Sequence, residues 1–215
     1  MCDDGAGPTV VSVNVGLPRT VEVDGTVVTT AIWKAPVAGR VAVGRCNLAG
    51  DRQADPTVHG GVDKAVYAYA AEDLAWWADE LGRDVPPGAF GENLTTAGID
   101  LRSVAVGEVW AIGSAVLAVT QPRVPCYKLA VRFGDRSLPR RFAAAGRPGA
   151  YVRVLQEGEL AAGDRLHVLS SPDQAVTVGL VATAYHSHDA QLAGAVLRAP
   201  GLPASWYDWA RARVG

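Results

Sequence analysis

Cys126 is the residue whose sequence surroundings point most clearly to chemistry. It follows two prolines in the segment Gln121–Lys128, and proline stiffens the backbone that carries a ligand or a nucleophile. The pattern places Cys126 at the start of a short helix, with Arg123 and Lys128 close by in sequence. A helix N-terminus and neighbouring positive charges both favour the thiolate over the thiol. Such a thiolate can bind a soft metal centre or act as a nucleophile, whereas the simpler interpretation is a buried structural cysteine.

A glycine pair marks a second loop that can do chemistry. Gly60 and Gly61 follow His59, and because glycine tolerates positive φ, their amides can turn inward to form an anion-binding nest. His59 and Lys64 can add side-chain donors to such a site. The alternative is an ordinary tight turn before the next strand.

A third loop, Gly88–Asn93, presents a carboxylate and an amide beside a glycine. These three residues are Gly91, Glu92 and Asn93. Together they can hold the edge of a heterocyclic ring, which offers both donors and acceptors. Taken alone, a solvated loop is the simpler interpretation.

Composition excludes several classes of function. The 215 residues carry a formal net charge of −2, so no overall positive charge drives binding to nucleic acid or to an anionic membrane. No run approaches the roughly 20 apolar residues of a membrane-spanning helix. The N-terminal residues are acidic rather than apolar, which argues against a signal peptide and favours a cytoplasmic location. Three cysteines suit reduced thiols, and Cys46 is expected to be a buried structural cysteine in the strand-like segment Val41–Leu48.

Short strands with turns between them must position these loops. Val21–Val23 and Thr26–Val28 flank Asp24-Gly25 and predict a hairpin, and a second hairpin turns at Gly113-Ser114. Many short strands predict a mainly β fold, a barrel or a sandwich. Short helices are predicted between them at Glu72–Leu81, at Cys126–Phe133 and, capped by Ser137, at Ser137–Ala145.

The last part of the chain has a different pattern. Ser170–Asp173 reads as a linker, which divides a β domain of residues 1–171 from a C-terminal extension of residues 172–215. An extension this short is expected to pack on the β domain rather than to fold alone. Its pattern predicts three helices at Ala175–Tyr185, Asp189–Arg198 and Ala204–Val214.

Taken together and in order, these motifs resemble the MOSC domain family, the domains related to the C-terminal part of molybdenum cofactor sulfurases. The similarity covers nearly the whole chain and is specific to the YiiM-like bacterial subgroup, which is linked to resistance against 6-hydroxylaminopurine. The segments that carry it are Leu48–Asp55, His59–Val66, Gly91–Leu94, Gln121–Leu129 and Gly201–Trp206.

The resemblance implies a β-barrel-like MOSC domain with a small C-terminal three-helix extension. It also implies a molybdenum–pyranopterin cofactor (Mo-molybdopterin) whose metal is bound by Cys126. The residues in the matching motifs that are expected to bind the cofactor are His59, Gly60, Gly61, Lys64, Gly91, Glu92, Asn93, Gln121, Arg123 and Lys128.

The activity implied by the resemblance is the reduction of N-hydroxylated compounds, such as hydroxylaminopurine-type base analogues, to the amine for detoxification. Cys126 would act at the metal, and His59 or Glu92 would supply protons; His59 is the first choice because its ordinary pKa suits neutral pH. No flavin or iron–sulfur motif appears, so the electrons are expected from an external flavoprotein reductase. A homodimer is a further expectation.

Two other interpretations are compatible with the same residues. One is a module that binds or carries the cofactor, or transfers sulfur, without reductase turnover. The other is a metal-free thiol enzyme with Cys126 as the nucleophile and His59 as the base, for which the sequence offers no third, orienting residue.

Overall fold

The structure is a computed structural model that describes residues 7–23, 25–54 and 60–215. Within these ranges the strands are β1 (Thr9–Val15), β2 (Arg19–Val23), β3 (Thr26–Thr30), β4 (Ala35–Pro36), β5 (Val41–Gly44), β6 (Asn47–Leu48), β7 (Val66–Ala70), β8 (Leu94–Ala97), β9 (Val109–Ile112), β10 (Ala115–Pro122), β11 (Ala150–Gln156), β12 (Gly158–Leu160) and β13 (Leu166–Ser170). The helices are α1 (Ala71–Leu81), α2 (Tyr127–Phe133), α3 (Leu138–Ala145), α4 (Val178–Ser187), α5 (Ala190–Val196) and α6 (Ala204–Val214), and a 3₁₀ turn spans Val62–Lys64.

Eight strands form one mixed sheet in the order β13-β9-β10-β11-β7-β8-β1-β4. Its pairs are antiparallel except β7 with β8, which run parallel because α1 connects them as a crossover. Among the described residues, the strand ladders leave the sheet open rather than closed into a barrel. An isolated bridge between Thr9 and Arg165 nevertheless joins β1 to the start of β13, and the Leu166 amide donates to the Pro8 carbonyl at 2.7 Å. The mainly β prediction is confirmed, and the sheet is barrel-like rather than closed.

The two predicted hairpins are present. β2 pairs with β3, and β9 pairs with β10 across Gly113-Ser114. Asp24, the first turn residue of the β2–β3 hairpin, lies outside the described residues. At the second turn Gly113 has φ +59, and an added Cβ would lie 2.2 Å from the Glu159 carbonyl oxygen, so only glycine fits there.

Glycine in the left-handed conformation ends three helices. α1, α2 and α3 stop at Gly82, Gly134 and Gly146, where glycine adopts the required φ without strain. The predicted cap at Ser137 is wrong in detail. Ser137 already has helical backbone angles, whereas a capping side chain normally projects from an extended residue, and its hydroxyl donates to the Asp135 carboxylate at 2.6 Å instead.

An aromatic cluster fixes α1 and α3 against β7 and the third loop. The rings of Tyr69, Trp77, Phe90 and Phe142 are all at most 2% exposed, and the Trp77 indole donates to the Tyr69 hydroxyl at 2.8 Å. Burial of large rings with a satisfied polar group makes this a rigid wall. It supports the loop that carries Phe90 and Gly91.

All three predicted C-terminal helices are present, although α4 begins at Val178 rather than at Ala175 and α5 ends at Val196 rather than at Arg198. Thr177 caps α4 and Asp189 caps α5 through side-chain acceptors of the Leu180 and Leu192 amides. Buried residues of these helices belong to the same apolar core as the inner face of the sheet, so the extension packs on the β strands as expected. The boundary between residues 171 and 172 remains a prediction. No helix in the described ranges is long and apolar enough to cross a membrane.

Candidate active site

A pocket forms where the loop after β3, the loop after β6, the 3₁₀ turn and the segment between β10 and α2 meet. Six of the residues singled out in the sequence lie in its wall, although they come from three separate segments. They are Lys64, Gly91, Asn93, Arg123, Cys126 and Lys128. The fold therefore gathers the three candidate loops at one site.

Cys126 is the residue immediately before the first turn of α2. Its backbone is extended, with φ −130° and ψ 170°, and its carbonyl accepts from the Leu129 amide at 3.0 Å. The side chain is partly exposed, and the first turn of α2 contains no acidic residue. The thiol therefore has access to the pocket at the positive end of a short helix, as the sequence predicts.

Arg123 brings a positive charge into the buried side of the pocket. The residue is 8% exposed, its guanidinium carbon lies 5.1 Å from the centre of the Tyr67 ring, and it donates to the carbonyl of Phe90. Burial alone lowers the pKa of Arg123, but Tyr67, Tyr151 and Cys126 outweigh it, so the pKa is raised. The guanidinium stays charged beside the cysteine.

Lys34 and Asp51 form a buried ion pair in the pocket wall that the sequence did not reveal. Their side chains are only 9% and 2% exposed, and Lys34 Nζ lies 2.5 Å from Asp51 Oδ2. The same carboxylate accepts from Asn93 Nδ2 at 2.9 Å and from the Gly16 amide at 2.9 Å. Burial lowers the pKa of Lys34, and the Asp51 carboxylate opposes this shift. Nothing in the pattern around Lys34, which is followed by a two-residue strand, identifies it as a site residue.

Tyrosines from two neighbouring strands provide an aromatic wall. Tyr67 in β7 and Tyr151 in β11 have ring centres 4.9 Å apart, and both line the pocket with Phe90. Burial raises the pKa of Tyr67 well above its usual value and also raises the pKa of Tyr151. Both hydroxyls therefore stay protonated near neutral pH. Sequence reasoning missed them because tyrosine in a strand is normally read as core packing.

Glu92 lies behind the pocket rather than in its described wall. It is 0% exposed, and its carboxylate accepts from the Gly88 amide at 2.5 Å, the Phe90 amide at 3.0 Å and the Thr95 hydroxyl at 3.1 Å. Burial raises the pKa of Glu92 to about 7, against the opposing effect of these hydrogen bonds. These hydrogen bonds hold the backbone of the third loop in place.

The other predicted site residues are placed differently. Gln121 is 4% exposed and is bonded to protein groups rather than facing the pocket. Gly61 has φ +90 and begins the 3₁₀ turn, and its carbonyl accepts from the Lys64 amide at 3.1 Å. Neither Gly60 nor Gly61 belongs to the described pocket wall. His59 lies outside the described residues.

Cys46 corrects one expectation. The sequence predicts a buried structural cysteine, whereas Cys46 is exposed in the turn that joins β5 to β6. The strand-like run from Val41 to Leu48 is in fact two short strands folded back on each other, and this turn places Cys46 at the surface. Cys46 is therefore a natural control for Cys126.

Comparison with known proteins places the chain in a class. The MOSC domain family model matches residues 55–167, more than half of the chain, and the chain belongs to the MOSC domain family. The crystal structure of YiiM from Geobacillus stearothermophilus superposes with a TM-score of 0.81 at 34% identity, covering 97% of this chain and all of that one. The predicted membership of the YiiM-like subgroup is confirmed.

Sequence comparison identifies further relatives of the chain. The chain is 40% identical over 200 residues to the uncharacterized protein YflK of Bacillus subtilis, which covers 92% of this chain and 90% of YflK. It is 34% identical over 153 residues to a protein named Reductase from Gibberella moniliformis, covering 67% of this chain and 26% of that protein. Membership of the MOSC family and the relative named Reductase support a molybdenum-cofactor-related function.

The described pocket fits the cofactor with which MOSC domains are associated. Cys126 supplies one soft sulfur donor, the kind of ligand that suits a thio- or oxo-metal centre. The Tyr67 and Tyr151 rings, tilted by 35° to each other, provide aromatic surface against which a pterin could pack. Five cationic side chains in the wall suit a phosphate group: Lys34, Arg52, Lys64, Arg123 and Lys128.

Proposed function

We propose that this protein uses a molybdenum–pyranopterin cofactor to reduce N-hydroxylated compounds, such as hydroxylaminopurine-type base analogues, to the corresponding amines. The observation that carries the proposal is the position of the Cys126 thiol. It opens, at the start of α2, into a pocket whose wall also contains the buried cation Arg123 and the aromatic face of Tyr67. Family membership and the relative named Reductase support it.

In this proposal the cofactor, when bound, would supply two-electron oxygen-atom-transfer chemistry that no side chain provides. Cys126 holds the metal. Arg123, Lys64 and Lys128 neutralise the anionic part of the cofactor, since charge-assisted hydrogen bonds from such donors are the strong ones. Gly91 allows the third loop to pack closely against Ile32. Its φ is +77, and an added Cβ would lie 3.1 Å from Ile32 Cγ1.

The overall reaction is R–NHOH + 2e⁻ + 2H⁺ → R–NH₂ + H₂O, so two protons must reach the substrate. Among the described residues of the wall, Lys34 and Lys64 suit this role, because burial lowers the pKa of each ammonium group and a lowered pKa makes a better acid at neutral pH. His59 remains the candidate from sequence. Glu92 does not line the described pocket, so in this proposal it acts through the position of the third loop.

The electrons come from outside the chain in this proposal, and a flavoprotein reductase is the partner of suitable chemistry. Formation of a homodimer remains a prediction. Neither partner is needed to test the activity, because an artificial one-electron donor can replace the reductase.

The test is a reduction assay on protein expressed in a host that makes the cofactor. Purified protein is given reduced methyl viologen and 6-hydroxylaminopurine, and the amine product is quantified per bound molybdenum. We expect turnover that scales with molybdenum content and is lost in Cys126→Ala but retained in Cys46→Ala. Bound molybdenum without any turnover would instead favour a carrier or sulfur-transfer module. Turnover without molybdenum, abolished by iodoacetamide, would favour a thiol enzyme.

A further inference from the structure

The C-terminal helix α6 is hydrogen-bonded to the strand that leads to the cysteine. The Trp206 indole donates to Gln121 Oε1 at 2.7 Å, and the two residues are 6% and 4% exposed. Gln121 lies in β10, two residues before Arg123 and five before Cys126. A buried bond of this kind fixes the relative position of the groups it joins, because an unmatched partner would lose its hydrogen bond without gaining water.

Gln121 passes this connection on to the 3₁₀ turn. Its Nε2 donates to the Asp63 carbonyl oxygen at 3.3 Å, and the neighbouring Thr120 hydroxyl donates to the same oxygen at 2.7 Å. Asp63 directly precedes Lys64, whose side chain lines the pocket. Trp206, Gln121 and Asp63 therefore form a chain of hydrogen bonds from the C-terminal extension to the pocket wall.

A second connection reaches the same turn through Arg153. Its Nη2 lies 2.9 Å from Asp63 Oδ1 and donates at 2.5 Å to the Gly201 carbonyl oxygen, just before α6 begins. Arg153 therefore ties the side chain of Asp63 to the C-terminal extension, while Gln121 ties its backbone. Two separate sets of hydrogen bonds therefore connect the region of α6 to Asp63, which argues against a chance contact.

We propose that Trp206 and Arg153 are positioning residues through which the C-terminal helices hold the turn of residues 60–64, and with it Lys64, in the wall of the cofactor pocket. The extension is then part of the cofactor-binding apparatus although none of its side chains enters the described wall. The consequence for cofactor retention rests on the proposed function. The positioning of the turn does not, and it can be measured in cofactor-free protein.

The chain offers a matched pair of variants in the same helix. Trp206→Phe keeps an aromatic ring but removes the indole donor. Trp209→Phe makes the same ring change three residues later, at a ring that packs against Tyr185 and edge-on against Trp206 itself. Amide hydrogen exchange of the peptide covering residues 60–66 is followed in cofactor-free protein. We expect roughly three- to tenfold faster exchange in Trp206→Phe, because this variant loses the free energy of about one hydrogen bond. We expect no change in Trp209→Phe.

Arg153→Gln provides a second variant that leaves the core intact, because the Arg153 side chain is partly exposed. We expect faster exchange of the same peptide here also. Unchanged exchange in both Trp206→Phe and Arg153→Gln would overturn the proposal. Equal effects of Trp206→Phe and Trp209→Phe would also overturn it, since they would reflect general loosening of the extension.

The cofactor-loaded protein separates this inference from the proposed function. We expect Trp206→Phe to lose bound molybdenum several times faster than Trp209→Phe. Equal retention in the two variants would overturn the link to the pocket. Native protein that never binds molybdenum, together with the Trp206-specific change in exchange, would contradict the proposed function while supporting the positioning.

Discussion

Lys34 Nζ and Asp51 Oδ2 lie 2.5 Å apart with almost no solvent around them. Buried charges of this kind are tolerated only when each is paired. Asp51 is also held by Asn93 and by the Gly16 amide, so the pair connects the third loop to the residue that follows β1 and to the loop after β6. The ion pair therefore helps to hold the segments of the pocket wall together.

We predict strong destabilisation when either partner is removed alone. Lys34→Met and Asp51→Asn should each lower the free energy of unfolding by about 3 kcal/mol, because each leaves an unpaired buried group. The double variant should lose less than the sum, by roughly 1–3 kcal/mol. Urea denaturation measures all three. Arg102→Met removes one partner of the exposed ion pair with Asp100; it is the control and should lower the free energy of unfolding by less than about 1 kcal/mol. If the effects of Lys34→Met and Asp51→Asn are additive in the double variant, the two side chains are not energetically coupled.

Glu92 should make stability depend on pH near neutrality. Its folded pKa is about 7 against an ordinary value of 4.5, so between these values the folded protein keeps a proton that the unfolded chain has released. Stability therefore falls as the pH rises through this range, by up to about 3 kcal/mol.

The measurement compares urea denaturation of the native protein and Glu92→Gln from pH 5 to pH 8. We expect the native protein to lose stability relative to the variant as the pH rises, and most of the difference to be present at pH 8. Glu22→Gln, at an exposed position of β2, should run parallel to the native protein. A Glu92→Gln curve that also runs parallel would show that the carboxyl is ionised in both states.

Sequence alone anticipates the features that depend on local pattern. The β9–β10 hairpin, the end of α1 at Gly82 and the start of α2 after Cys126 follow from turn residues, glycine and periodicity. Six of the candidate site residues were found because their motifs are contiguous. The cysteine and its neighbouring cations therefore needed no tertiary information.

The remaining site residues depend on contacts between distant segments. Lys34 and Asp51 are 17 positions apart, Trp206 and Gln121 are 85 apart, and no local pattern announces either contact. The same reason explains why Gln121 was expected at the cofactor, whereas its amide is occupied by α6 and the 3₁₀ turn. The sequence misplaces Cys46 because the run from Val41 to Leu48 has the composition of one strand, and only the β5–β6 pairing reveals the turn inside it.

Arg123 should not be replaceable by lysine. The guanidinium lies over the Tyr67 ring and bonds the Phe90 carbonyl, and a lysine cannot reproduce this planar arrangement. We expect Arg123→Lys to lower the free energy of unfolding by about 1–2 kcal/mol and to reduce bound molybdenum severalfold. Arg140→Lys, at an exposed position of α3, should change neither quantity. Unaltered stability and metal content in Arg123→Lys would show that only the charge matters.

Metal analysis of Cys126→Ala beside Cys46→Ala tests the central claim most directly. Both variants remove one thiol, but only Cys126 lies at the pocket, while Cys46 is exposed in a turn. Molybdenum and pterin are quantified after expression in a host that makes the cofactor. We predict close to one molybdenum per chain in the native protein and in Cys46→Ala, and at least a tenfold loss in Cys126→Ala. Molybdenum retained at the native level in Cys126→Ala would contradict the assignment of Cys126 as the metal ligand.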